Sequence, residues 1–312
     1  MLRFRLDKTA KAGASISGRA CNLHCLGCHH DYFDHSGCYR HAISNEMFVD
    51  AVIRIISASM AQEASVRISG NGDPTVVGER ELVELIGLLR QIRQVKSIRI
   101  TTNGVLLKEM LPALKEAGLD VVTISLSSLD PDIYSFYTGS HHLDKVLSSI
   151  ETSLALGLLT KVNVIYCKLN ARQLGDFIEL SKRNPGLIIR FFDLIPADEL
   201  SSRLYLPLNH LESRLKSYPH EKKEIRGAYS LREYRLLEGG IVQVKITEDN
   251  NCPNRDCYAR QDCLEGCRSS IRIRLDGVLQ PCGVRTDNIV DLFSPEVTLA
   301  QIQDALRSGG KL

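Results

Sequence analysis

The chain has 312 residues, 44% of them hydrophobic and 24% charged, which excludes extended disorder and suits one large domain or a domain with a small appendage. Its 39 lysines and arginines against 37 aspartates and glutamates leave a formal charge of +2, so the broad basic surface of a duplex-binding protein is missing, though a local basic pocket is not excluded. No apolar run reaches the roughly 18 residues of a membrane span, and residues 1–7 (MLRFRLD) lack a signal-peptide core, so a cytoplasmic chain with no membrane partner is expected.

Short apolar strands alternating with amphipathic helices are expected along the first two thirds. Residues 14–16 are the first expected strand and lead into a group of cysteines. Residues 65–69 (SVRIS) precede Gly70-Asn71-Gly72-Asp73-Pro74, and residues 97–101 (SIRIT) precede Thr102-Asn103-Gly104. Residues 121–126, 161–166 and 187–192 complete six strands. Between them, helical faces are spaced as Phe48, Val52, Ile55 and Ile56; as Leu82, Leu85, Ile86 and Leu89; and as Leu107, Leu111 and Leu114, which Gly118 can end in a left-handed cap. Val146, Ile150 and Leu154, closed by Gly157, and then Leu174, Phe177 and Ile178 make two more. Strands and helices in this order predict a parallel sheet, open or curled into a barrel, with its site at the C-terminal strand ends. After Pro196 the rhythm stops. Residues 214–235 are polar and read as a solvated connector, and residues 241–246 and 270–275 read as strands bracketing further cysteines.

Ten cysteines are many for an unexported chain of this length, and all but Cys167 fall into two groups. Cys21, Cys25 and Cys28 form a CxxxCxxC triplet after the first expected strand. Three thiolates can hold three irons of a 4Fe–4S cube and leave the fourth iron open to a ligand. The same spacing also serves a zinc knuckle, with a fourth ligand from His24, His29, His30 or Cys38. The second group is Cys252, Cys257, Cys263, Cys267 and Cys282. Residues 271–275 as a strand, a turn at Asp276-Gly277 and a return over residues 279–282 would bring Cys267 and Cys282 near each other. A structural zinc site fits these cysteines as well.

CxxxCxxC after a strand, followed by a glycine-rich loop after the next, resembles the radical S-adenosylmethionine (SAM) superfamily. Gly70-Asn71-Gly72-Asp73-Pro74-Thr75 is similar to that superfamily's GGEP loop. Residues 100–107, 114–120, 122–126, 161–164 and 189–196 resemble the MoaA-type GTP cyclases of molybdenum-cofactor biosynthesis. The resemblance implies an α/β fold, a partial (β/α)6 TIM-like barrel over residues 1–199, and a small auxiliary-cluster extension of twitch or SPASM type over residues 200–312. It implies that Cys21, Cys25 and Cys28 hold a 4Fe–4S cluster whose open iron binds SAM, and that reductive cleavage of SAM yields a 5′-deoxyadenosyl radical. Gly70, Asn71, Gly72 and Asp73 would lie at the methionine end of SAM. Thr102, Ser125 and Asn163 would meet its polar atoms, and Arg190 its carboxylate. Cys263, Cys267 and Cys282, with Cys257 and Cys252 as further candidates, would hold a second iron–sulfur cluster.

The chain also departs from the GTP cyclases. Their auxiliary cysteines open with CxxC, whereas this chain has CxxxC at Cys263 and Cys267. The basic residues those enzymes place before the first cysteine and on the second strand match Ala14 and Ser65, although Arg67 is retained. Arg272 fits one of their paired arginines, Ser270 stands at the other position, and Arg274 is offset by one strand period. The expected function is therefore hydrogen abstraction from an anionic small molecule, a nucleotide, nucleoside or sugar derivative, with Arg67, Arg272 and Arg274 as its anchors. An external electron donor such as flavodoxin or ferredoxin is implied. GTP cyclisation itself, peptide modification and a non-enzymatic zinc-binding role are the alternatives.

Overall fold

The computed structural model describes residues 1–8, 21–26, 28, 42–70, 72–196, 198–226, 230–246, 270–282 and 287–309. Six parallel strands lie side by side in chain order: β1 (Leu2–Asp7), β2 (Ala64–Ser69), β3 (Val95–Thr102), β4 (Val121–Ser125), β5 (Leu159–Tyr166) and β6 (Ile188–Asp193). Crossovers carry the helices: α1 (Asn45–Ser59), α2 (Glu79–Arg90), α3 (Leu107–Glu116), the pair α4 (Pro131–Thr138) and α5 (Leu143–Ala155), and α6 (Leu174–Arg183). This is the mixed α/β, TIM-like partial barrel that the alternating pattern implies. The expected strand at residues 14–16 lies outside the described residues. The strand that opens the barrel is β1, in a segment where the alternation of LRFRLD was the available signal.

Local chemistry explains where the helices begin and end. Ser44 caps α1 by accepting from the Met47 N–H at 3.3 Å, and Asp130 caps α4 with Pro131 in its first turn. Gly118, at φ 111°, ends the α3 turn, and the Leu119 N–H returns to the Leu114 carbonyl at 2.9 Å. The helical faces bury Phe48, Val52 and Ile55, then Leu82, Leu85, Ile86 and Leu89, then Leu107, Leu111 and Leu114. Each such side chain contributes roughly 1.5–3 kcal/mol through burial.

Apolar residues at alternate positions of each strand turn to one side. Phe4 and Leu6, Val66 and Ile68, Ile98 and Ile100, Val122 and Ile124, Val162 and Val164, and Ile189 and Phe191 are buried in one apolar core with the helices. The intervening residues of the same strands therefore face the concave side of the sheet, and most are polar or charged, with Val121, Ile165, Ile188 and Phe192 among the exceptions.

Beyond β6 come α7 (Glu199–Leu204), α8 (Leu208–Leu215) and the hairpin of β7 (His220–Arg226) and β8 (Ser230–Leu236). The segment expected as a solvated connector is thus largely sheet. Its charges sit in cross-strand pairs, with Lys223 opposite Glu233 and Glu224 opposite Arg232, and these satisfy one another. The strand expected at 241–246 is β9 (Ile241–Lys245), which joins β8 and also runs parallel to β6. At the other edge, β10 (Ser270–Ile273) runs parallel to β1 and continues through β11 (Val278–Gln280) to β12 (Val290–Asp291). Strands on both sides of residue 200 therefore share one twelve-stranded sheet, and the expected division there is not a division of the sheet. A final helix, α9 (Leu299–Ser308), lies against α1, where Gln303 donates to the Ala58 carbonyl at 3.0 Å.

Candidate active site at the mouth and interior of the barrel

Cys21, Cys25 and Cys28 are half-buried free thiols beside the C-terminal strand ends. Their loop is pinned to the end of α4: the His24 N–H donates to the Thr138 carbonyl at 2.9 Å and the Leu26 N–H to the Tyr137 carbonyl at 2.8 Å. Burial raises the pKa of the Cys21 thiol, the nearby Asp73 and Cys28 add to the rise, and hydrogen bonds from Leu23 and Asn103 oppose it. Burial also raises the pKa of the Tyr137 hydroxyl, helped by Cys25, Cys167 and Cys28. Cys28 thus lies near both Cys21 and Tyr137, and Cys25 near Tyr137, but as placed no three such side chains among the described residues are close enough together to hold a metal ion. Such desolvated sulfurs suit a cationic metal cluster, because a metal stabilises the thiolate that burial alone disfavours. Three cysteine thiolates are the donor type that a cube with one open iron takes.

Asp73 closes the loop after β2. Its carboxylate is buried and accepts from the Thr75 N–H at 3.0 Å, the Thr75 hydroxyl at 2.5 Å and the Asn103 N–H at 2.5 Å. The Thr102 hydroxyl lies 2.9 Å from both of its oxygens. Burial pushes the Asp73 pKa up against the pull of these donors. The side chains of Asp73 and Thr102, both expected against SAM, are thus spent on each other, tying the β2 and β3 loops together. What the β2 loop offers a ligand is backbone, at Gly70 and at Gly72 with φ 133°. Asn71 lies outside the described residues.

Ser125, Asn163 and Arg190 stand in one row across β4, β5 and β6, and Gln243 of β9 continues it. The Asn163 Oδ1 is buried without a hydrogen-bond partner among the described residues, as an acceptor awaiting a ligand donor would be. The Arg190 guanidinium lies over the Phe192 ring, 5.8 Å from its centroid.

Deeper in the barrel runs a second row. Arg272 of β10, Arg5 of β1, Arg67 of β2 and Arg99 of β3 are register partners on four adjacent strands. Arg5 donates to the Ser69 hydroxyl at 3.0 Å, and Arg99 to the Ser97 hydroxyl at 3.3 Å. Asp7 is an acidic side chain in this row, 3.7 Å from the Arg5 Nε and 3.5 Å from the Arg272 Nε. Arg67 and Lys161 make no ion pair among the described residues. Burial lowers the pKa of Arg99, with Arg67 and Arg3 contributing. Burial, then Arg190, Arg99 and Arg67, hold the Lys161 ammonium down to about 8, against Glu233. Cations are thus concentrated where they are half-buried and only partly screened by solvent.

Of the expected substrate anchors, Arg67 and Arg272 meet in this row through Arg5. Arg274 is turned to Asp276 at 2.9 Å. The hairpin turn is as expected: the Arg274 N–H donates to the Val278 carbonyl at 2.9 Å, and Gly277 has φ 81°. Cys282 follows the hairpin as a half-buried thiol, while Cys252, Cys257, Cys263 and Cys267 lie outside the described residues. Sequence reasoning passed over Arg5, Arg99, Lys161 and Asn103. The first three could have been found from charges alternating with aliphatic residues in a strand, because a cation on an otherwise apolar strand has only the interior left to face.

A model of the Radical SAM superfamily matches residues 15–180. Proteins named "Probable GTP 3′,8-cyclase" are 30% identical: that of Methanococcus aeolicus over 283 residues, covering 88% of this chain and 86% of the relative. That of Methanocaldococcus jannaschii is similar over 278 residues, covering 88% and 85%. Among solved structures, Streptococcus suis SuiB bound to precursor peptide SuiA is similar with TM-score 0.66 at 16% identity, covering 99% of this chain and 66% of that one. Native anSMEcpe with bound AdoMet is similar with TM-score 0.61 at 14% identity, covering 98% and 82%.

Proposed function

The chain belongs to the radical SAM superfamily, an enzyme family that works with a 4Fe–4S cluster and SAM, and from that premise we propose that it abstracts hydrogen from a phosphorylated nucleotide or a similar anionic small molecule. The observation that carries this reading is the interior band of cations, Arg272, Arg5, Arg67 and Arg99 with Lys161 nearby, in which Arg67 and Lys161 make no ion pair among the described residues. An interior cation without a counter-charge is costly, and a phosphate-rich ligand would supply the missing charge through bidentate contacts to guanidinium groups.

Cys21, Cys25 and Cys28 would hold the cluster, which with SAM and one electron from a donor such as flavodoxin or ferredoxin supplies a 5′-deoxyadenosyl radical. The chain's own residues orient the reaction. Gly70 and Gly72 leave room for the methionine end of SAM. Ser125, Asn163 and Arg190 are spaced along one row to hold its polar groups. The lower arginine row would fix the substrate's anionic end, holding its carbon skeleton towards the strand ends. We propose a second iron–sulfur cluster at Cys263, Cys267 and Cys282, with Cys257 and Cys252 as further candidates.

One observation favours the narrower reading that the substrate is GTP. Sequence matching put Ala14 where GTP cyclases carry a basic residue before the first cysteine, whereas the strand beside β2 is β1, and its Arg5 stands next to Arg67. Anaerobic equilibrium binding of nucleoside mono-, di- and triphosphates, GTP included, tests both readings against the free nucleosides. Phosphorylated ligands are expected to bind at least about tenfold tighter, the effect of one charge-assisted contact. Equal affinity for nucleoside and nucleotide would contradict the proposal.

A further inference from the structure

The Asn103 side chain, between the β3 strand end and the cysteine loop, has no role in the account so far. It is buried, 8% exposed, and each of its polar groups is directed. Its Oδ1 accepts from the Val105 N–H at 3.0 Å, which holds the turn after β3. Its Nδ2 donates to the Asn22 Oδ1 at 2.7 Å and lies 3.8 Å from the Cys21 Sγ, within reach of an N–H···S hydrogen bond. The Leu23 backbone also donates to that sulfur. The backbone of Asn103 is fixed by its N–H to Asp73, so the amide cannot swing away without releasing the β2 loop.

We propose that Asn103 is a positioning residue that raises the reduction potential of the iron–sulfur cluster through the Cys21 thiolate. The proposal rests on Cys21 being a cluster ligand. A thiolate bound to iron carries more negative charge when the cluster gains an electron, and an N–H aimed at that sulfur stabilises the reduced form more than the oxidised one. The site is half-buried, so water replaces this donor poorly. The same amide bridges to Asn22, the residue after Cys21, and so fixes the direction in which the thiolate leaves the loop. The chain Asp73–Asn103–Cys21 joins the glycine loop, the β3 loop and the cysteine loop in one hydrogen-bonded path.

The test is a redox titration of anaerobically reconstituted full-length protein, followed by the paramagnetic resonance signal of the reduced cluster that changes when SAM is added. That response separates the cluster at Cys21 from any second cluster. Asn103→Asp keeps Oδ1 for the Val105 N–H and replaces the donor by a charged oxygen, so it adds a negative charge as well as losing the donor. Asn103→Ala removes Oδ1 and the donor together. The midpoint is expected to shift to more negative potential in both variants, further in Asn103→Asp, with iron content of the Asp variant unchanged. A wild-type midpoint in either variant overturns the proposal, because a shift confined to Asn103→Asp would be the effect of its added charge. Should the cluster ligation itself be wrong, replacing Cys21, Cys25 and Cys28 together would leave the SAM-responsive signal in place, a different result from an unshifted midpoint.

Discussion

Arg67 sits between Arg5 and Arg99 on the concave face of the sheet, a position that no apolar side chain occupies on the neighbouring strands. Replacing it by alanine removes one charge-assisted contact to an anionic ligand, about 1.5–3 kcal/mol or roughly a ten- to hundredfold loss of nucleotide affinity. Anaerobic calorimetry checks this, and SAM affinity should hold in the same variant. Lys161 gives the site a pH dependence. Its pKa is depressed to about 8 by burial and by Arg190, Arg99 and Arg67, with Glu233 opposing. The ammonium is therefore charged below that value and neutral above it, so nucleotide affinity is expected to fall up to about tenfold between pH 7 and pH 9. Lys161→Arg, which stays charged across that range, should flatten the profile. The cysteines and the glycine loop were legible because their spacing is itself the chemistry. The side-chain roles of Asp73 and Thr102 were not, because a motif does not show that a carboxylate and a hydroxyl will satisfy each other across 29 residues.

Gly118 is where a helix, a strand and a half-exposed ion pair meet. At φ 111° it ends the turn after α3, its carbonyl accepts from Arg90 at 2.9 Å, and a Cβ there would stand 2.6 Å from the Arg90 side chain. Arg90 also pairs with Asp120 at the start of β4. Gly118→Ala should therefore destabilise the fold by at least about 1–2 kcal/mol from backbone conformation alone, read as a lower denaturant midpoint with an unchanged slope. Helices were the most legible elements, since α1, α2, α3 and α6 each carry an apolar face at helical spacing and it is the face they bury. Strands with mixed character were harder. In β1 and β8, charged residues alternate with apolar ones, and such a pattern reads as solvated chain until a partner strand supplies the opposite charge or a barrel interior receives it. The parallel pairing of β9 to β6 and of β10 to β1 is set by tertiary contact over long separations, which no local pattern encodes.

At the scale of the molecule, a formal charge of +2 conceals an uneven distribution: cations are gathered on the concave face, while Glu224 and Glu233 of the β7–β8 hairpin pair with Arg232 and Lys223. A near-neutral total excluded a duplex-binding surface and said nothing about a basic interior, because composition has no coordinates. If both cysteine groups hold clusters, reconstituted protein should contain about eight irons, and joint replacement of Cys21, Cys25 and Cys28 by alanine should remove about half. Iron analysis reads both numbers, and a total near four in wild-type protein would remove the second cluster. The claim that joins the cluster end of the barrel to its basic interior is that the radical is delivered to an anionic substrate. It is tested most directly by 5′-deoxyadenosine formation in reduced, SAM-loaded protein given nucleotides or the matching nucleosides. Turnover that rises with phosphorylated nucleotides, stays at the substrate-free level with nucleosides and is lost in Arg67→Ala is the predicted result. Equal stimulation by nucleoside and nucleotide, or full stimulation in Arg67→Ala, would contradict it.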